Sequence, residues 1–243
     1  DRLRSRGLGD VYKRQDLHHV ISPQLEHWLE DVHHIDPKKV VDAPLVGLTA
    51  DSGTLAFKSR DVAKPLTISF VGRNVRQKRP ETFILAVREL NKKFPGKLRF
   101  IMQGNGDMDE FVDQLIKRYD LETVIQRRSM TTPVSQTYDQ TDVLLVSSMN
   151  EGITLTTIEA LSAGIPVISA NVGSQDTLIP PQGLCRRESA RFVRDVTAIV
   201  GRILESEENR KKLWEAEKKR LEKFSELKSA NEYFRDMLTK WSR

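Results

Sequence analysis

The stretch "DVLLVSSMNEGITLTTIEALSAGIPVIS", Asp142 to Ser169, reads as strand, loop, helix and strand in succession. "DVLLVSS" and "IPVIS" are apolar runs of strand length, and "LTTIEALSA" between them reads as a helix. Two carboxylates lie eight positions apart here, Glu151 in the loop and Glu159 about a turn into the helix, with Gly152 directly after the first. Two explanations compete. One is a solvated loop charge plus a Glu that favours the helix dipole; the other is a clamp around a phosphorylated ligand.

The same alternation extends on both sides. "LTISFVG" (66–72) reads as a buried strand, and Pro80 at a first helical position opens "PETFILAVRELNKKF", which Pro95-Gly96 ends. "LRFIMQG" is a second strand, followed by a helix over 107–119, a short strand near "TVIQRR" and a polar helix. Strands separated by helices require crossover connections, right-handed where chirality applies, and a mostly parallel sheet covered on both faces. The expected fold is therefore an α/β doubly wound, Rossmann-like domain. Beyond Arg191 the chain is helical and charged, and Ala230, Phe234, Met237 and Trp241 place one apolar stripe on the last helix. Upstream, "HHVISPQLEHWLEDVHH" resembles a strand end and a helix capped by Ser22 with Pro23 at its first position.

Composition excludes several classes. The 243 residues are 38% hydrophobic and 30% charged, the balance of a globular protein. No apolar run approaches the ~20 residues of a spanning helix. One cysteine, Cys185, allows no intrachain disulfide, which favours a cytoplasmic setting, with the inner face of the membrane as the alternative. Of the net charge of +5, residues 1–15 ("DRLRSRGLGDVYKRQ") supply +3. That stretch lacks apolar periodicity and resembles adapter-derived sequence, so it is set aside as a non-native tail, and the remaining charge gives no reason to expect a nucleic-acid partner.

In a doubly wound sheet, ligands bind beyond the carboxyl ends of the strands. After "LTISFVG" comes "RNVRQKRP", with Arg73 next to Gly72 at the strand end and Lys78 five residues later. After "DVLLVSS", Gly152 allows the backbone to approach a ligand, and the N–H groups of Ile153, Thr154 and Leu155 present partial positive charge to an anion. A carboxylate such as Glu151 or Glu159 can accept two hydrogen bonds from a vicinal diol, which sugars and riboses carry. The set fits a nucleotide-diphosphate sugar.

Glu-x7-Glu followed by Gly-x-Pro-Val, with strand-Gly-Arg-x4-Lys upstream, resembles the nucleotide-binding half of retaining GT-B glycosyltransferases of the group 1 type, over about Leu66 to Trp241. The resemblance implies the C-terminal half of a GT-B fold with C-terminal helices. It assigns Arg73 and Lys78 to the diphosphate, Glu151 to the donor-sugar hydroxyls and Glu159 to the ribose, with Arg73, Lys78 and Glu151 as catalytic residues. Gly72 and Gly152 to Leu155 complete the donor-binding set. No metal or other cofactor is expected. Many members have Gly after the motif Lys; here Arg79 and Pro80 stand there. The implied organisation is a tail (1–15), a remnant of an N-terminal acceptor domain (16–50), a linker (51–65), the donor-binding domain (66–225) and a crossing helix (226–243). The rest of the acceptor domain is expected to be missing, the last helix to lose its partner, the acceptor to lie outside this chain's motifs, and the chain alone to be inactive in transfer.

Three signals read more simply. "GNG" at 104–106 lacks the third glycine of a dinucleotide fingerprint and reads as a tight turn. "DMD" at 107–109 resembles a metal-binding Asp-x-Asp, but Asp107 with Glu110 reads as a helix-capping pair. All five histidines fall within 18–34 without a Cys or acidic cage at zinc spacing. Two rival functions remain: a GT-B-like sugar-nucleotide epimerase, which needs further acids and bases around the sugar, and a non-catalytic nucleotide-sugar-binding module.

Overall fold

The structure is a computed structural model that describes residues 15–20, 22–42, 55–227 and 230–241. They fall into two compact units.

The larger unit, within residues 55–224, is built on six parallel strands: β3 (Leu66–Val71), β4 (Leu98–Gln103), β5 (Ile125–Arg128), β6 (Val143–Val146), β7 (Val167–Ala170) and β8 (Leu184–Cys185). Their order is β5-β4-β3-β6-β7-β8, so chain order reverses between β3 and β6. That is the strand order of a doubly wound sheet, and its crevice opens at the reversal. Registers such as Ile68 opposite Phe100 and Ile68 opposite Val143 set β3 at the centre. Leu66, Ile68, Phe70 and all of β6 are buried, as expected when helices cover both faces.

Helix α2 (Pro80–Lys93) begins with its proline and buries Phe83, Ile84, Val87 and Leu90 on one face against β3 and β4. Then come α3 (Asp109–Arg118), α4 (Val134–Tyr138), α5 (Leu155–Ser162), α6 (Gln175–Leu178), α7 (Ser189–Glu205) and α8 (Glu207–Ser225). The short α6 and two-residue β8 were not anticipated, since neither is long enough to show a period.

Two local expectations fail. Asp107 does not cap α3: the N-cap is Met108 without a side-chain bond, and Asp109 instead accepts from Asn74 Nδ2 at 2.6 Å and Asn105 Nδ2 at 3.2 Å. Asp107 lies one residue before the N-cap, out of the capping position, while Asp109 satisfies the amide of the buried Asn74. The expected tight turn at 104–106 lies instead at 107–108, closed by the Asp109 N–H on the Gly106 carbonyl at 3.2 Å, and the glycines answer to the neighbouring loop: a Cβ on Gly104 would lie 1.8 Å from the Gly72 oxygen, and one on Gly106 2.3 Å from the Asn74 oxygen.

Residues 55–65, read as linker, are bound into this unit. Leu55 is buried, and Phe57 packs against Trp214 and under the guanidinium of Arg210, 4.4 Å from the ring centre. Arg210 is fully buried, bonding the carbonyls of Lys58 and Asp142 and the carboxylate of Glu207.

In the smaller unit, β1 (His18–Val20) pairs in parallel with β2 (Val40–Asp42), and α1 (Pro23–His27) continues into a π-helical turn, Trp28–Val32. Val20, Leu29 and Ile35 form its small core. Ser22 occupies the N-cap position as expected, but its buried hydroxyl makes no capping bond. The last helix, α9 (Ala230–Trp241), belongs to this unit and keeps an aromatic partner there: Phe234 meets the ring of His19 edge-on, centres 5.3 Å apart. The stripe is thus not left wholly bare; the side chains of Ala230 and Trp241 lie outside the described residues.

Candidate functional site

At the reversal point, a cavity of about 560 Å³ opens beyond the ends of β3 and β6. Gly72, Arg73, Lys78, Glu151, Ile153, Thr154, Leu155 and Glu159 all line it. Of the donor-binding set only Gly152 does not, although it lies between two lining residues.

Arg73 lies two residues past the end of β3, after Gly72, and is exposed. Lys78 ends a single 3-10 turn, Arg76–Lys78, and its Nζ donates to Glu151 Oε1 at 2.5 Å. The sequence-predicted phosphate cation and sugar carboxylate therefore form one ion pair, with Glu151 only 8% exposed. Reading the motifs separately did not anticipate this contact.

Arg79, where relatives commonly have glycine, has φ +49°, a left-handed conformation that disfavours side chains. Its guanidinium holds it there: Nε donates to the Ser147 carbonyl and Nη1 to the Arg187 carbonyl, both at 2.7 Å. Ser147 Oγ in turn donates toward the carbonyls of Lys78 and Arg79. Further lacing comes from Met149 N–H to Gln77 O and Gln77 Nε2 to Asn150 O. The two loops are thus cross-linked through backbone groups, which fixes the separation of Lys78 and Glu151.

The helix N-terminus is presented without a side-chain cap. Thr154 is the N-cap of α5 but makes no capping bond; its hydroxyl accepts from Gln175 Nε2 at 2.6 Å instead. With the cap engaged elsewhere, no side chain covers the helix start, and Ile153 to Thr156 line the cavity there. Gln175 carries no motif that sequence reasoning could have used.

Gly152 has no positive φ, and a Cβ there would meet open space. The steric requirement sits at Gly173, with φ +59°, where a Cβ would lie 1.5 Å from the Glu151 oxygen. Gly173 therefore lets the Glu151 backbone pack close, a role visible only in three dimensions.

Glu159 is exposed on α5 and accepts from the Tyr138 hydroxyl at 2.8 Å. Tyr138 is 7% exposed. Burial first, and then the charge of Glu159, raise its phenol well above the ordinary tyrosine range, so it remains a proton donor. The opposite wall is Met130 to Val134, held by Gln103 Nε2, which donates to Thr132 O at 2.6 Å and Ser129 O at 3.3 Å.

Among the described residues, no cluster of three or more His, Cys, Asp or Glu side chains has the arrangement to hold a metal ion, and no helix is long and apolar enough to cross a membrane.

Known proteins share both fold and sequence with this chain. The peptide N-acetylglucosaminyltransferase GtfA subunit of Streptococcus pneumoniae is 31% identical over 134 residues, which is 55% of this chain and 25% of that protein. Sucrose-phosphate synthase from Thermosynechococcus elongatus superposes with a TM-score of 0.74 at 20% identity, covering 100% of this chain and 61% of that one. Pneumococcal GtfA in complex with UDP and GlcNAc superposes at 0.65 with 24% identity, covering 93% and 44%. This chain thus spans about a quarter of the length of the curated relative. The profile of the family "Glycosyl transferases group 1" matches residues 51–221, most of the chain and all of the cavity described above. On that match, the chain belongs to the group 1 glycosyl transferases.

Proposed function

We propose that this chain carries the donor half of a retaining glycosyltransferase, which moves a sugar from a nucleotide-diphosphate sugar to an acceptor hydroxyl. The observation that carries the reading is the convergence of Arg73, Lys78, Glu151, Glu159 and the α5 N-terminus on one cavity at the strand-order reversal. UDP and GlcNAc in the pneumococcal relative's structure support the ligand class.

The chemistry follows from charge. As the bond from the anomeric carbon to the diphosphate lengthens, negative charge grows on the leaving oxygens, where Arg73, Lys78 and the first N–H groups of α5 stabilise it. Glu151 accepts from donor-sugar hydroxyls, oriented by its bond to Lys78. Glu159 accepts from the ribose diol, and Met130 to Val134 cover the base. The open space at Gly152 leaves its backbone accessible to the sugar. In this scheme protein cations supply the charge stabilisation, a second domain supplies the acceptor side, and the single cysteine favours a cytoplasmic setting.

The test is thermal melting of the purified chain with UDP, GDP and ADP, with and without EDTA. A ligand at 100 times its Kd stabilises by about 2.7 kcal/mol, a rise of several degrees at this size. The expected result is a shift with at least one nucleotide, unchanged by EDTA and reduced in Arg73→Ala, with no measurable transfer by the chain alone. Cooperative melting that none of the three shifts would refute the reading.

A further inference from the structure

We propose that Tyr138 is a positioning residue for nucleotide binding, presetting Glu159 to receive a ribose 2′,3′-diol. The inference rests on the donor-half reading above and assigns a role within it to a residue outside both motifs. Tyr138 is not among the described residues that line the cavity; it reaches Glu159 from the end of α4.

Glu159 alone is poorly suited to bind a diol. It is exposed, and a free glutamate side chain loses considerable rotamer freedom when a ligand fixes it. The Tyr138 hydroxyl occupies one acceptor position on Oε2, at 2.8 Å, and thereby restricts the carboxylate before a ligand arrives. A carboxylate offers roughly four lone-pair positions, so two donors of a cis-diol can still be accommodated. Water could also bond Glu159, but water would not hold one rotamer.

Tyr138 can do this only if α4 is itself fixed, and a five-residue helix has little stability of its own. Two cations hold its C-terminal part and the residues that follow. The Lys58 ammonium uses all three of its hydrogens on the carbonyls of Tyr138 (2.6 Å), Asp139 (2.6 Å) and Thr141 (3.0 Å). Arg128, at the end of β5, donates to Thr137 Oγ1 at 2.9 Å and to the Gln136 carbonyl at 3.2 Å. Lys58 is tied in turn to the sheet: its N–H bonds the Gly164 carbonyl and its own carbonyl accepts from buried Arg210. A continuous set of bonds thus runs from the segment entering the domain to the carboxylate at the cavity.

The experiment is calorimetric titration of the 243-residue chain with UDP, GDP, ADP and their 2′,3′-dideoxy analogues, in wild type, Tyr138→Phe, Glu159→Gln and the double variant. Phe keeps the packed ring and removes one hydroxyl, and a melt of each variant checks that it is folded. Tyr138→Phe is expected to weaken the ribonucleotide about three- to tenfold, the scale of one lost preorganised side chain, and to change the dideoxy affinity less than about twofold. In the Glu159→Gln background the same substitution should have little further effect. Equal losses for both analogues, or none for the ribonucleotide, would overturn the positioning role while leaving the donor reading intact. Failure of the wild type to bind any of the three ribonucleotides would overturn the donor reading and this inference with it.

Discussion

Lys78 and Glu151 share one ion pair yet should respond in opposite directions to nucleotide. Nζ and Oε1 stand 2.5 Å apart, with the side chains 22% and 8% exposed. Removing one partner from a fully buried pair costs about 3–5 kcal/mol, whereas an exposed pair contributes about 0–1. Lys78 is partly open to solvent, so Lys78→Met should fall between these, near 1–3 kcal/mol, because it strands the more buried carboxylate. Glu151→Gln strands only the better hydrated ammonium and should cost less, roughly 0.5–1.5 kcal/mol. At about 2–4 °C per kcal/mol for a domain of this size, the first lowers Tm by roughly 2–12 °C. The two together should show a coupling of about 1–2 kcal/mol in a double-mutant cycle. Nucleotide binding separates the residues. Lys78→Met loses charge-assisted bonds to the diphosphate, about 1.5–3 kcal/mol or at least tenfold in Kd. Glu151→Gln removes a negative charge beside the same phosphates and frees Lys78 for them, so affinity for a nucleoside diphosphate should rise, by up to about fivefold at low salt and less at high salt. The assay is melting of the four proteins plus titration with a nucleoside diphosphate at two ionic strengths. Zero coupling, or a weakening of nucleotide in both single variants, would refute the assignment of Lys78 to both partners.

Two further perturbations test the surrounding structure. Arg79→Gly relieves a left-handed side chain, about 1–2 kcal/mol, but removes two charged hydrogen bonds worth about 1.5–3 each, so net destabilisation of roughly 2–4 kcal/mol is expected. Urea unfolding measures it, and a glycine variant as stable as wild type would show that the guanidinium bonds contribute no more than the strain they hold. Glu217 is fully buried, accepting from Val167 N–H, and burial raises its carboxyl well above the ordinary 4.5 despite that hydrogen bond. The folded state therefore keeps a proton that the unfolded state releases, and stability falls as pH rises from about 4.5 toward the folded value. Glu217→Gln should remove that slope, gaining on wild type with rising pH and matching its trend at lower pH; parallel stability curves for the two proteins would contradict the assignment.

The fold was largely legible because a buried parallel strand has a local signature. Leu66 to Phe70 and Val143 to Val146 are apolar or buried without alternation, and Pro80 marks a helix start by its own geometry. The elements missed were β2, β8 and α6, three, two and four residues long, whose positions are set by neighbouring strands and loops. The capping pair at Asp107 and Glu110 failed because the helix starts at Asp109, an acid engaged by a buried amide 35 positions away. Local pattern cannot reveal a competitor that arrives through the fold.

The candidate site divides in the same way, and the division has a physical origin. The charged groups proposed to meet the ligand come in two short runs because each run follows one strand end, in the loops that leave β3 and β6 at the reversal point. Spacing within each run is therefore constrained and readable. The groups that hold those runs have no such constraint. Gln175 engages the Thr154 hydroxyl from 21 positions away, Tyr138 meets Glu159 across the same interval, and Arg79 bonds a carbonyl 108 positions later. A steric glycine requirement likewise sits outside the motif, at Gly173 in the loop packed against Glu151. Any residue that reaches the same backbone atom could serve, so support is fixed by distance in space and leaves no spacing in the chain. The substitutions that test this fold most sharply are therefore at Tyr138 and Glu217, which no motif marks, and at Arg79, which departs from the motif beside it, since at each the structure assigns a sign to the effect.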